Sequence, residues 1–248
     1  MNAAWKWSIS FVLTTLAVVV SYHWLDRPIA HFAHDRLKQY NLFEHLTYIP
    51  EIVTPIVLLA FVFIGVYALL GRPLTKLHMV AVLCAAGVAV TEAIKFQLKF
   101  AFGRTWPETW VRNNPSFIRD HVYGFFPFHG NPGFAAFPSG HTAAVCAVMS
   151  VLWICYPRFR LLYAAAIAAV GVGLVGANFH FLGDVIAGGF LGISVGWLPV
   201  AIWEIGRRGV RARKDRPQPK PEIADFGRDQ VASEARGSAA KPAVTAPL

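Results

Sequence analysis

Three stretches of this chain hold the residues best able to do chemistry. Phe137-Pro138-Ser139-Gly140-His141 follows a polar, aromatic loop and opens an apolar run from Thr142 to Tyr156. A helix starting near Ser139 aims its unpaired N–H groups and the positive end of its dipole at that loop, which favours anions. Ser139 adds a hydroxyl, Gly140 lets an anion approach the backbone, and His141 adds a titratable ring. Ser at a helix start is also an ordinary cap, so this stretch alone does not establish a site. In His180-Phe181-Leu182-Gly183-Asp184 the His and Asp are four apart. On a helical turn they share a face, where the carboxylate orients the imidazole and stabilises its cation. Glu92, Lys95 and Lys99 fall at i, i+3 and i+7 inside a third apolar run, followed by Gly103-Arg104. Ionisable groups in such a run usually face an interior site. The plainer alternative is a Glu92–Lys95 pair that locks two helices, with Lys99 snorkelling to the headgroups.

The elements that must position these residues are apolar helices. Of 248 residues, 55% are hydrophobic and 15% charged, and the mean hydropathy is +0.45, a membrane composition. The spacing predicts an all-α, polytopic helical bundle of about six transmembrane helices: 7–25, 52–70, 78–100, 142–156, 161–178 and 185–203. The first has a single Lys before it and no small-residue cleavage site, so it reads as an anchor rather than a removable signal. Asp26 to Pro50 is polar and rich in His and Tyr, and its spacing suggests a short helix at the interface. Gly188, Gly192 and Gly196 recur every fourth residue, which permits close helix packing. The membrane domain is expected over 1–204 with its motifs in 96–189, and a disordered basic tail over 205–248. Cys84, Cys146 and Cys155 all sit in apolar runs and read as small buried residues.

Arg72 and Lys76, Arg158 and Arg160, and the basic run from Arg207 fall on alternate connections, which predicts that these and both termini are cytoplasmic. The stretches ending in His141 and Asp184 then share the opposite face with the loop from Gly103 to Phe137. Much of the net charge of +9 lies after Trp203, so it reports topology rather than a nucleic-acid partner.

Leu98–Pro107 (LKFAFGRTWP), FPSGH and His180–Gly188 (HFLGDVIAG), in that order, resemble the type 2 phosphatidic acid phosphatase and haloperoxidase superfamily. That family's pattern is a Lys followed by Arg-Pro, then Pro-Ser-Gly-His, then Ser-Arg and His-x-x-x-Asp. The six-span layout is similar to its integral-membrane branch. Its vanadate-dependent oxidants are soluble and fit this apolar chain poorly. The second motif is complete. The third keeps His180 and Asp184, but Gly173 and Leu174 stand in the Ser-Arg places. In the first, Lys99 is in register, while Trp106 occupies the Arg position before Pro107 and Arg104 is the nearest stand-in.

The resemblance implies His180 as the nucleophile that forms a phosphohistidine, with Asp184 holding its ring. His141 would protonate the leaving alkoxide and then take a proton from water. Lys99, Arg104, the Ser139 hydroxyl and the Gly140 N–H would surround the phosphoryl oxygens, with Arg104 the main clamp. No cofactor or metal is expected, since no Cys/His or carboxylate cluster suggests one. The loop aromatics Trp106, Trp110, Phe117, Tyr123, Phe125, Phe126, Phe128, Phe134 and Phe137 suit an interface where headgroups meet acyl chains, or merely anchor the loop there. The expected function is therefore hydrolysis of a phosphate monoester or diphosphate on a membrane lipid. The expected location is a bacterial inner membrane, with the site facing the periplasm. Two alternatives stand beside it: a lipid phosphotransferase using the same residues, and a non-catalytic protein that binds phosphorylated lipid. Membrane lipids are the expected partners, with the oligomeric state and the lipid left open.

Overall fold

The computed structural model describes residues 3–110 and 113–214. They form a helical bundle with no strand among the described residues. The long helices are α1 (Ala4–Leu37), α2 (Asn41–Leu69), α3 (Lys76–Phe102), α4 (Gly140–Cys155), α5 (Arg160–Gly176) and α6 (Leu182–Lys214). All but α4 are long and apolar enough to cross a membrane, α5 being counted from Pro157. The protein is an integral membrane protein of about six spans.

The first connection differs from the sequence expectation. No separate interface helix occupies 26–50: α1 runs on through Asp26 to Leu37, and α2 starts at Asn41, well before Ile52. A wide π turn over Ser21–Leu25, in which the Asp26 N–H reaches the Ser21 carbonyl, shifts the register just ahead of Pro28. Asp26 reads as the polar end of a span, yet it is 1% exposed because partners neutralise it, so the helix need not stop there. At the other end, α6 passes the expected boundary at 204 and continues to Lys214. The described residues up to Ile205 form one compact unit. The expected disordered tail beyond Lys214 lies outside the described residues.

α4 is the shortest of the six and the most enclosed, with Thr142–Met149 and Val151 buried. One cluster joins Val80, Leu83, Cys84 and Val88 of α3 to Val148 and Val151 of α4 and Val200 of α6. A second joins Val145, Cys146 and Met149 of α4 to Tyr163, Val170 and Leu174 of α5. The glycines at four-residue spacing bring α6 close enough that a Cβ at Gly188, Gly192 or Gly196 would strike the carbonyls of Ser139, Ala143 and Ala147. The bundle's outer face is apolar, with Phe11, Leu13, Leu59, Phe61 and Phe63 exposed as lipid contacts require.

Replacing Gly192 with Leu is therefore expected to destabilise the folded protein by about 1–3 kcal/mol through overpacking. Gly65 has nothing within 4 Å, so Gly65→Leu serves as the matched control. Thermal midpoints in detergent check this, and equal midpoints for the two variants would contradict the close α4–α6 contact.

Candidate active site

Three helix ends converge at one end of the bundle. α3 stops at Gly103, whose left-handed φ of 59° turns the chain back and whose missing side chain leaves room for the Phe126 carbonyl. α4 starts at Ser139, whose side chain accepts from the Thr142 N–H at 3.4 Å and the Thr142 hydroxyl at 3.1 Å. The turn from Ala177 to Phe181 separates α5 from α6, with the N–H groups of Phe179 and His180 both donating to the Leu174 carbonyl. A backbone hydrogen bond of 3.0 Å from the Ser139 N–H to the Asp184 carbonyl ties the second of these ends to the third. The two motif stretches are thus one unit.

Between them lies a cavity of about 310 Å³. Among its lining residues are His141, His180, Gly140, Lys95, Lys99, Glu92, Glu51 and Trp106. The His180 ring is 4% exposed, with Nδ1 3.3 Å from Asp184 Oδ2, which also accepts from the Phe181 N–H at 3.1 Å. That contact occupies Nδ1 and leaves Nε2 for the cavity. The indole of Trp106 lies against the His180 ring with centroids 5.0 Å apart, and the Lys99 ammonium sits over the same indole at 5.5 Å. Lys99 also donates to the Ala135 carbonyl at 2.6 Å. Lys95 pairs with Glu92 and packs over Gly140, where a Cβ would come within 2.8 Å of the Lys95 Cδ. Glu92, Lys95 and Lys99 therefore present one face of α3 to the cavity, so the ion pair and the cavity position coexist.

Two of the residues expected to clamp the phosphoryl group stand apart from the cavity. Arg104 does not line the cavity: it is fully buried, donating to Asp184 Oδ1 at 2.6 Å and to Asp26 Oδ2 at 2.5 Å. Burial works against its charge, but the carboxylates of Asp184 and Asp26 outweigh it and hold its pKa above the ordinary value. With its charge already committed to two carboxylates, the guanidinium is not presented to a ligand. Ser139 likewise is 0% exposed and does not line the cavity, its hydroxyl turned to Thr142 as a helix cap. The other five sequence candidates, His141, His180, Asp184, Lys99 and Gly140, do converge, with Asp184 buried directly behind His180.

Sequence reasoning missed Glu51, which lies on α2 and reaches His141 Nε2 at 3.3 Å. Its partner stands ninety residues away along the chain, so no local spacing marks it. It missed Asp26 for the same reason. It also missed Glu108, which anchors the loop by pairing with Lys38 and with His34 at 2.6 Å and by accepting from Asn178 at 3.1 Å. Burial alone would raise the Glu108 carboxyl, but these partners together hold it below the usual range. Of the nine loop aromatics only Trp110 and Phe128 are exposed, so most of them pack inward. Tyr123 stacks on Tyr22 at 4.8 Å and Phe137 packs edge-on to Phe102 at 4.9 Å.

The family model of the PAP2 superfamily matches residues 75–207, more than half of the chain. Over 94 residues the chain is 35% identical to a lipid A 1-phosphatase of Rhizobium etli, a match covering 37% of this chain and 36% of that protein. A lipid A 1-phosphatase of Rhizobium johnstonii is also 35% identical over 94 residues, covering 37% and 34%. The matched segment spans about a third of the length of these relatives. In fold the chain is similar to a transmembrane PAP2-type phosphatidylglycerolphosphate phosphatase from Bacillus subtilis. The TM-score is 0.56 at 16% identity, over 81% of this chain and 97% of that one.

Burial pushes the His180 ring down to about 4 against an ordinary 6.5, Asp184 only partly opposing it. The folded ring is then neutral at pH 7, while the unfolded chain takes up a proton below about 6.5. Stability should fall as pH drops from about 6.5 to about 4, with Glu108 losing its contribution in the same direction as it protonates. His180→Gln is expected to flatten this decline. An unchanged slope of thermal midpoint against pH in that variant would contradict a buried neutral ring.

Proposed function

Because the chain belongs to the PAP2 superfamily, we propose that it hydrolyses a phosphate ester on a membrane lipid through a phosphohistidine at His180, without a metal. The carrying observation is the shared cavity: His180, held at Nδ1 by Asp184, opens onto the same space as His141, Lys95 and Lys99. His180 Nε2 attacks phosphorus, and the bond from phosphorus to the lipid oxygen breaks. His141 gives its proton to that oxygen, with Glu51 holding its ring. In the second half His141 takes a proton from water, whose oxygen displaces His180 and leaves as inorganic phosphate. Lys99, Lys95 and the first N–H groups of α4 face the phosphoryl oxygens, where charge gathers in the transition state.

Three observations support a lipid substrate at the outer face. The cavity lies at one end of apolar helices, where the headgroup of a bilayer lipid sits. Arg72, Lys76, Arg158 and Arg160 fall at the other ends of these helices, which favours a cytoplasmic position for them and an extracytoplasmic one for the site. The lipid A 1-phosphatases that the chain resembles carry a glycolipid phosphate in their name, which makes lipid A the first substrate to test.

Purified protein with EDTA present is expected to release phosphate from at least one of lipid A, phosphatidic acid, phosphatidylglycerol phosphate and a polyprenyl diphosphate. Release without an acceptor lipid separates hydrolysis from transfer. His180→Ala should abolish it, His141→Ala should lower it by about 10²–10⁴-fold, and Asp184→Asn should leave a small residue. Wild-type release by folded His180→Ala would remove the nucleophile assignment. Orientation is checked separately in a chain lacking Cys84, Cys146 and Cys155. A cysteine replacing Gly130 should react with an impermeant reagent in intact cells, and one replacing Arg72 should be protected. The opposite pattern would invert the topology.

A further inference from the structure

Behind His180, on the side away from the cavity, three buried ions form a chain. Asp184 Oδ1 accepts from Arg104 Nη1 at 2.6 Å, and Arg104 Nη2 donates to Asp26 Oδ2 at 2.5 Å. Asp184 and Arg104 are 0% exposed and Asp26 1%. Asp26 is itself saturated: its Oδ1 accepts from the Ser21 hydroxyl at 2.6 Å and from the Gly183 N–H at 3.0 Å. The Tyr123 hydroxyl lies 3.2 Å from Arg104 Nη2 and donates to the Tyr22 carbonyl at 2.6 Å. Gly183, in the first turn of α6, packs on this pair so closely that a Cβ there would stand 3.2 Å from Asp26 Oδ2 and 3.3 Å from Arg104 Nη1.

We propose that Arg104 and Asp26 are positioning residues for His180, acting through Asp184 and never touching the phosphoryl group. This rests on the reading of His180 as nucleophile. Asp184 has two oxygens and two tasks: Oδ2 orients the imidazole, and Oδ1 must be held so that the carboxylate cannot rotate or protonate. Arg104 does the holding. Asp26 in turn keeps the guanidinium behind the ring, where it would otherwise be drawn to an anion in the cavity. The rings of Phe181 and Phe125, 4.6 and 4.9 Å from the guanidinium carbon, wall the ion in. Two carboxylates around one guanidinium leave the buried cluster with a single negative charge. A cation forming on His180 as it takes the phosphoryl group neutralises that charge, so the cluster favours the step electrostatically. Asp26 belongs to α1, so the first helix of the chain is part of the catalytic support.

The test uses the full chain in detergent, with lipid A and dioctanoyl phosphatidic acid as substrates and inorganic phosphate as competitive inhibitor. Wild type and His180→Ala run alongside Asp26→Asn, Arg104→Ala, Arg104→Lys and Tyr123→Phe, each normalised to the folded fraction from gel filtration. A misplaced nucleophile costs about 10²-fold, so kcat should fall by roughly 10- to 100-fold in Asp26→Asn and Arg104→Ala. KM and the phosphate inhibition constant should stay within about threefold, because no ground-state contact is lost. Arg104→Lys should recover part of kcat. Asp26→Asn keeps the side-chain shape and Tyr123→Phe removes one hydroxyl, so the question remains decidable if Arg104→Ala does not fold. Wild-type kcat in folded Asp26→Asn and Tyr123→Phe would overturn the proposal. So would a phosphate inhibition constant that weakens in step with kcat, which would make Arg104 a phosphate clamp. If wild type releases no more phosphate than His180→Ala, the enzymatic reading itself fails and this proposal with it.

Discussion

The architecture turns on a guanidinium held between two carboxylates in a water-poor space. Arg104 lies between Asp26 of α1 and Asp184 of α6, and the chain around it is pinned as well. The Ala136 N–H donates to its carbonyl at 3.1 Å, and the Phe126 N–H donates to the carbonyl of Gly103 just before it. Burying ions of this kind costs several kcal/mol each, and removing one partner from a buried pair typically destabilises by about 3–5 kcal/mol. Such a cluster persists only when several elements agree on its position. Here α1, the end of α3, the loop and the start of α6 all meet at it, and the turn that carries His180 sits on top.

The cavity on the other side of His180 has a different balance. Lys95 and Lys99 bring positive charge, while Glu51 and Glu92 bring negative charge to the same walls. Lys95 is paired with Glu92 and Lys99 is satisfied by a backbone carbonyl, so neither ammonium is left bare. On the proposed function, an incoming phosphate would compete with a carboxylate for one and with a neutral carbonyl for the other. Lys99 is the easier to recruit on that ground, since a charge-assisted bond to phosphate is stronger than one to a carbonyl. Trp106, at the place where the family pattern has an arginine, supplies no charge. It supplies a flat wall that fixes the His180 ring and carries Lys99 on its other contacts.

Much of this was legible in the sequence because it is local. The stripe of Glu92, Lys95 and Lys99 and the glycine repeat of α6 are one-helix patterns that the structure realises, while the four-residue spacing of His180 and Asp184 brings them into contact across the turn that leads into α6. The cap at Ser139 is local too, yet a hydroxyl that caps and a hydroxyl that faces a ligand look alike in sequence. What was hidden is pairing across long chain separations. Asp26 reads as the end of a span because a carboxylate closes the apolar run, and the cation that pairs with it in the structure is seventy-eight positions away. Glu51 and His141 are ninety apart. Arg104 was visible as a needed cation but not as a committed one, since its direction depends on the turn at Gly103 and on the two carboxylates behind it.

The central claim is that phosphorus becomes bonded to His180 during turnover. Rapid acid-free quenching of the purified protein with a ³²P-labelled lipid phosphate, followed by alkaline gel electrophoresis and peptide mapping, tests that bond directly. The account predicts a label that survives alkali, is lost in acid, and maps to the peptide containing His180. Phosphate release at full rate with no labelled protein at any quench time, or label on a different residue, would contradict it.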